Sequence, residues 1–141
     1  MLGADPILEV LEQHAEGRTR PVVQDESLVS HAAKLSRRDG TVDFREPAEL
    51  VRARINGLSP WPGCDVLLGG RPIRLRRAGP GEIEAPGSVG SVLPDGHVRC
   101  GVGSVQLIDV QPPGKGIMSW DAFVRGRGIE ANARFEPMQE V

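Results

Sequence analysis

Few residues in this chain belong to the types that carry out covalent or acid–base chemistry. The histidines are His14, His31 and His97. They are scattered, and no Asn-x-His pair or carboxylate at a useful offset accompanies them, so loop or surface positions are expected rather than catalytic ones. The cysteines, Cys64 and Cys100, have no second thiol or histidine at ligand spacing. That spacing argues against a zinc site, and against a metal generally, and for isolated buried thiols in a reducing cytoplasm. Gly101-Val102-Gly103 lies between strand-like stretches rather than ahead of a helix, so it does not read as a phosphate-cradling loop. What remains is charge. The formal net charge is −2, so any nucleic-acid contact must come from a local basic face. Lys34, Arg37 and Arg38 make a small basic cluster that a solvated loop explains, with phosphate contact as the alternative.

The elements that position these groups are organised around Leu58-Ser59-Pro60-Trp61-Pro62-Gly63. Its prolines fix φ at Pro60 and Pro62 and push Ser59 and Trp61 to extended conformations. Upstream the pattern is helical. Asp5 reads as a cap with Pro6 in the first turn, Ile7, Leu8, Leu11 and Ala15 on one side, and Gly17 as the stop. Residues 18–41 lose periodicity and read as extended pieces and ordered loop. Pro47 opens a second helix over 47–56, with Ala48, Val51, Ile55 and Leu58 on the apolar face, Glu49, Arg52 and Asn56 pointing away, and Gly57 as a left-handed stop. Trp61 is expected under the sheet beside Ile55, as a plug rather than a ligand-stacking ring.

Downstream the sequence reads as short strands. Gly69-Gly70 joins 65–68 to 71–77 as a two-residue hairpin, and Pro72 puts the second strand at an edge near its start. Ile73 and Leu75 alternate with Arg74 and Arg76, which places the guanidinium groups on the solvent face. A loop over 79–86, a strand at 88–93, the turn Pro94-Asp95-Gly96, and strands at 97–100 and 105–110 follow, giving five strands between Cys64 and Gln111. Ser119 then caps a helix over 120–125, Met118 staples it to Phe123, and Gly126 and Gly128 release a tail holding Phe135. The fold expected is mainly β with flanking helices: a small, partly closed, antiparallel OB-like barrel preceded by a helix and extended linker. The expected division is residues 1–40 for helix and linker and 41–141 for the barrel.

Composition agrees with that class. A chain of 141 residues suits one packed domain, and 18 glycines and 12 prolines suit turns and short strands. No apolar run approaches membrane-spanning length and no signal pattern opens the chain, so a soluble cytoplasmic protein is expected.

Several stretches taken together resemble one family. Lys34-Leu35-Ser36, Leu58-Ser59-Pro60-Trp61-Pro62-Gly63, Pro86-Gly87-Ser88-Val89 and Gln111-Pro112-Pro113-Gly114-Lys115 are similar, in that order, to methionyl-tRNA formyltransferases. Met118-Ser119-Trp120-Asp121-Ala122-Phe123-Val124-Arg125-Gly126 is similar to their closing helix. The resemblance runs from about residue 3 to residue 135. It implies the end of a catalytic domain, a linker, and a C-terminal OB-like barrel that helps hold the tRNA. It also implies that the donor, 10-formyltetrahydrofolate, binds through an N-terminal Rossmann-like domain. That domain's catalytic Asn, His and Asp and its His-x-Ser-Leu-Leu-Pro loop have no counterpart in this sequence. No cofactor and no formyl transfer are therefore expected of the chain alone.

Three readings follow from that resemblance. In the first the chain positions tRNA, with Arg74, Arg76, Arg77, Lys115, Arg125 and Arg127 touching phosphates by a weak, backbone-only mode. The strands hold no aromatics, which disfavours base stacking. In the second the chain is the scaffold of a formyltransferase acting on an amino sugar or a biosynthetic intermediate. In the third it is an interaction module, with Ile7, Leu8 and Leu11 covered by a catalytic domain or by a second copy in a homodimer.

Overall fold

The structure is a computed structural model that describes residues 3–82, 87–129 and 133–138. It divides into two compact units, Met1–Ala33 and Lys34–Val141. In the first unit, α1 runs from Ala4 to Ala15. Gly3 takes the N-cap position without a side-chain cap, so Asp5 lies inside the first turn and does not cap. Gly17, at φ 68, ends the helix with its N–H donating to the His14 carbonyl. Farther on, Asp25 caps a single 3-10 turn over Glu26–Leu28.

The second unit is built on an antiparallel sheet. Its strands are β1 (Cys64–Leu68), β2 (Arg71–Pro80), β3 (His97–Arg99), β4 (Ser104–Gln111), β5 (Met118–Ser119) and β6 (Phe135–Pro137). The order is β3-β4-β2-β1-β6, with β5 pairing on β4. Gly69 and Gly70, at φ 55 and 72, make the β1–β2 turn, and the register pairs Leu68 with Arg71 and Asp65 with Arg74. Positive φ at both positions is the hairpin requirement that glycine meets. At its start β2 pairs only with β1, which accommodates Pro72; from Arg74 onward β4 lies along its other side.

Residues 88–93 do not form a strand of their own. They contribute isolated bridges that stitch the two ends of the sheet together, Val92 to Val98 and Ser91 to Arg134. Val92 N–H donates to Ala133 O at 3.0 Å, and Phe135 N–H to Gly90 O at 2.8 Å. The result is a half-barrel, mainly β, with helices α2 (Ala48–Gly57) and α3 (Trp120–Arg127) on its flanks. Among the described residues, four strands rather than five lie between Cys64 and Gln111. Gly79 and Pro80, read as loop from the sequence, extend β2; the rest of that reading, with Pro86, lies partly outside the described residues.

The core corrects one expectation. Trp61 is 56 % exposed, whereas Trp120 is 1 % exposed. Pro60 and Pro62 turn the chain outward at the corner, so the ring does not follow Ile55 into the core. Trp120 opens α3 instead, and its indole N–H donates to Pro94 O at 3.1 Å, which meets the hydrogen-bonding need of a buried indole. Its neighbours are Phe123 (centroids 5.5 Å apart) and Phe135 (6.2 Å), and Phe135 in turn stacks on Phe44 at 5.4 Å. Phe135 is therefore core, because its segment pairs with β1 as β6 rather than trailing as a tail.

Two helix readings also change. Val51 and Ile55 are buried as the spacing requires, but Asn56 does not point away. Its amide donates to Ala78 O at 2.8 Å and accepts from Ala78 N–H at 2.9 Å. Gly57 ends α2 without a left-handed φ; Leu58 is the cap. Ser119 caps α3 as expected, accepting from Ala122 N–H at 3.2 Å, and Met118 packs against the core.

Candidate nucleic-acid interface

The arginine-bearing side of β2 follows from its alternation. Ile73 and Leu75 are buried, so Arg74 and Arg76 face the other way. Neither lies open on a solvent face, as the sequence suggested; both are half-buried. Arg74 sits directly across the β1–β2 register from Asp65 and forks onto it, Nε to Oδ1 at 2.7 Å and Nη2 to Oδ2 at 2.6 Å. A bidentate pair of this kind is strong for its class, and the carboxylate raises the Arg74 pKa further. The Arg74 side chain also lies over Gly63, where an added Cβ would meet its Cδ and Nε at 3.0 Å.

Arg76 occupies an irregularity. The β2–β4 register pairs Leu75 with Val110 and then Arg77 with Asp109, leaving Arg76 as the extra residue of a bulge. Its Nη1 donates to Pro60 O at 3.2 Å, and its Nε is buried with no hydrogen-bond partner among the described residues. Arg77, shifted by the same bulge, pairs through Nε with Asp109 Oδ2 at 2.8 Å.

The remaining cations are exposed. Lys115 sits in the loop after β4, shaped by Lys115 N–H to Pro112 O and Gln111 Nε2 to Lys115 O, each 3.1 Å. A groove of about 300 Å³ between Arg74 and this loop is lined also by Asp65, Gln111, Pro113 and Met138. Arg125 and Arg127 close the last turn of α3, where cations suit the helix dipole. Arg127 lies 6.0 Å from the Phe123 ring centroid and borders a second cavity of about 300 Å³, with Arg71 and apolar Leu68, Ile73 and Ile129. The structure thus brings Arg74 and Arg76 together and sets Arg74 beside the Lys115 loop. Arg125 and Arg127 sit two residues apart in the last turn of α3, Arg127 beside the cavity it shares with Arg71, and Arg77 is tied to Asp109.

Sequence reasoning missed the carboxylates. Asp65 was accessible to it: it precedes Gly69 by as many residues as Arg74 follows Gly70, so the hairpin register alone pairs them. Asp109 was not, because the bulge displaces Arg77. The exposed Trp61 was missed as well. His97 has a carboxylate neighbour after all, Asp95 Oδ2 at 3.3 Å from Nδ1, within the turn where Asp95 Oδ1 also accepts from His97 N–H. That contact holds a hairpin turn. Cys64 and Cys100 are fully buried, and desolvation pushes each thiol up to about 11. Among the described residues no group of His, Cys, Asp and Glu could hold a metal ion, and no helix is long and apolar enough to cross a membrane.

The half-barrel with α2 and α3 on its flanks has the fold of a formyltransferase C-terminal domain. Residues 34–128 match the family model for the formyl transferase C-terminal domain, and the chain belongs to that family. Among its relatives is the methionyl-tRNA formyltransferase of Nitrobacter hamburgensis, 33% identical over 138 residues, covering 96% of this chain and 44% of that protein. The enzymes of the same name from Myxococcus xanthus and Granulibacter bethesdensis are 36% and 37% identical, over 91% and 95% of this chain and 42% of each of theirs. The chain therefore spans less than half the length of the curated relatives it matches. Its fold is shared with the crystal structure of HypX from Aquifex aeolicus in complex with tetrahydrofolic acid, at a TM-score of 0.65 and 21% identity, covering 89% of this chain and 23% of that one.

Proposed function

We propose that this chain holds a tRNA by its backbone for formylation, as the non-catalytic part of a methionyl-tRNA formyltransferase-like protein. The observation that carries the reading is that four of the six candidate cations, Lys115, Arg125, Arg127 and Arg76, have no ion pair among the described residues. Arg74 and Arg77 are excluded from that set, since Asp65 and Asp109 neutralise them. Relatives that are methionyl-tRNA formyltransferases support tRNA as the cargo. Phosphate contacts fix register and orientation without reading sequence, which is what a positioning module needs.

The test follows from the corrected site. Lys115→Ala, Arg125→Ala and Arg127→Ala each remove an exposed charge without stranding a carboxylate, as Arg74→Ala would strand Asp65. Each should weaken binding of any tRNA about equally and reduce the salt slope by about 1. Substitutions that leave affinity untouched would remove the cations from the interface.

A second reading concerns α1. Ile7, Leu8 and Leu11 are each more than half exposed, and no described residue of their own unit covers them. Burying such side chains stabilises by about 1.5–3 kcal/mol each at full burial, and a lone helix of this length is marginal in water. The stripe fits isologous pairing with a second copy.

A further inference from the structure

We propose that Trp61 is a stacking platform for one unpaired base of the bound RNA, with Arg76 drawing the adjoining phosphate. This rests on the reading of the chain as a tRNA-holding module and adds to it a contact that the described strands cannot provide, since Phe135, their aromatic residue, is buried. Trp120 shows what this fold does with a packing tryptophan, leaving 1 % of it exposed, against 56 % for Trp61. The Trp61 ring is also carried on a stiff support. Pro60 and Pro62 fix the backbone on either side. Gly63 N–H closes the turn onto Leu58 O at 2.8 Å, Arg74 lies over Gly63, and Arg76 clamps the Pro60 carbonyl. A ring held this way loses little freedom when a base stacks on it, which is where stacking gains its affinity.

The charge beside it selects the ligand. Arg76 is tied to the residue preceding Trp61, and its guanidinium meets no carboxylate among the described residues. The neighbouring Asp65 is already occupied by Arg74. A half-exposed aromatic ring one residue from the carbonyl that an uncompensated guanidinium holds matches a nucleotide, whose base and phosphate would occupy the two together. Because every base has a π-face, the contact tolerates sequence.

The test uses the whole chain with an unstructured oligoribonucleotide and a blunt RNA duplex carrying the same number of phosphates. The single strand is expected to quench the exposed tryptophan's emission, and the duplex is not. Trp61→Ala should lower affinity for the single strand about tenfold, leave the duplex affinity and the salt slope unchanged, and melt with the wild type. Trp61→Phe, which keeps a ring, should recover most of the loss. A Trp61→Ala protein that binds the single strand as tightly as wild type overturns the stacking site while leaving backbone binding in place, and assigns the exposed ring to a protein contact. A wild-type chain that binds neither RNA overturns the stacking site and the tRNA reading together.

Discussion

Asn56 is the residue whose removal should reveal how α2 is fixed to the sheet. β1 pairs with β2 only as far as Leu75, so beyond that point the outer edge of β2 has no strand beside it among the described residues. Ala78 lies there, 3 % exposed, and its N–H and C=O both turn to the Asn56 amide at 2.9 and 2.8 Å. One side chain thus substitutes for a missing ladder partner. Asn56→Ala leaves two main-chain groups to be satisfied by whatever water can enter. Each such loss costs about 1–3 kcal/mol when buried, and since Asn56 is itself exposed the low end applies, about 2 kcal/mol in all. For a domain of this size that corresponds to a fall in Tm of roughly 6–10 °C. Asn56→Asp keeps the acceptor for Ala78 N–H but sets a carboxylate against Ala78 O. It should be at least as destabilising at neutral pH and recover partly as pH falls and the new carboxyl regains a donor. Thermal unfolding followed by far-ultraviolet circular dichroism reads both. A Tm within about 2 °C of wild type for both variants would show that the two bonds contribute nothing net.

The glycines separate by sign. Gly101→Ala drives a Cβ into the Arg45 carbonyl, backbone against backbone, and should cost about 1–3 kcal/mol, while Gly57→Ala, with open space around it in α2, should be neutral or stabilise by about 0.5–1 kcal/mol in denaturant unfolding. For Cys64 and Cys100 the folded thiols titrate near 11 against 9.0 unfolded, so the unfolded chain loses its protons first and stability declines as pH rises from about 9 through 11. At pH 10 that is on the order of 1 kcal/mol for each thiol, and a Cys64→Ala/Cys100→Ala protein should lose less stability than wild type between pH 8 and pH 10; equal losses would refute the linkage. Leu8→Glu with Leu11→Glu should turn a dimer into a monomer in analytical ultracentrifugation, and a wild type monomeric at high concentration would contradict pairing through α1.

Much of the fold was legible because its signals are local. Pro47 and the spacing of Val51 and Ile55 define α2, Gly69-Gly70 defines a hairpin and its register, and Ser119 defines the start of α3. What was not legible depends on distant partners. Which tryptophan fills the core is decided by where Pro94 offers a carbonyl, far from Trp120 in sequence. Phe135 becomes a strand residue only because β1 has a free edge, and 88–93 only bridges because it must reach β3 and residues 133–135 at once. The site follows the same rule. Alternation placed Arg74 and Arg76 on one side of β2, but the bulge at Arg76, the Asp109 partner of Arg77 and the exposure of Trp61 arise from packing that no sequence period encodes.

The central claim, that exposed cations hold RNA by its phosphates, is tested most directly by a salt titration of tRNA binding to the wild-type chain. Each phosphate neutralised contributes about −0.9 to the slope of log K against log salt on duplex RNA treated as B-DNA-like, so Lys115, Arg125 and Arg127 alone predict a slope near −2.7 and, with Arg76, near −3.6, a loss of about 40- to 150-fold between 50 and 200 mM salt. The loss should be the same for tRNAs of different sequence. An affinity that does not change across that range would contradict the account.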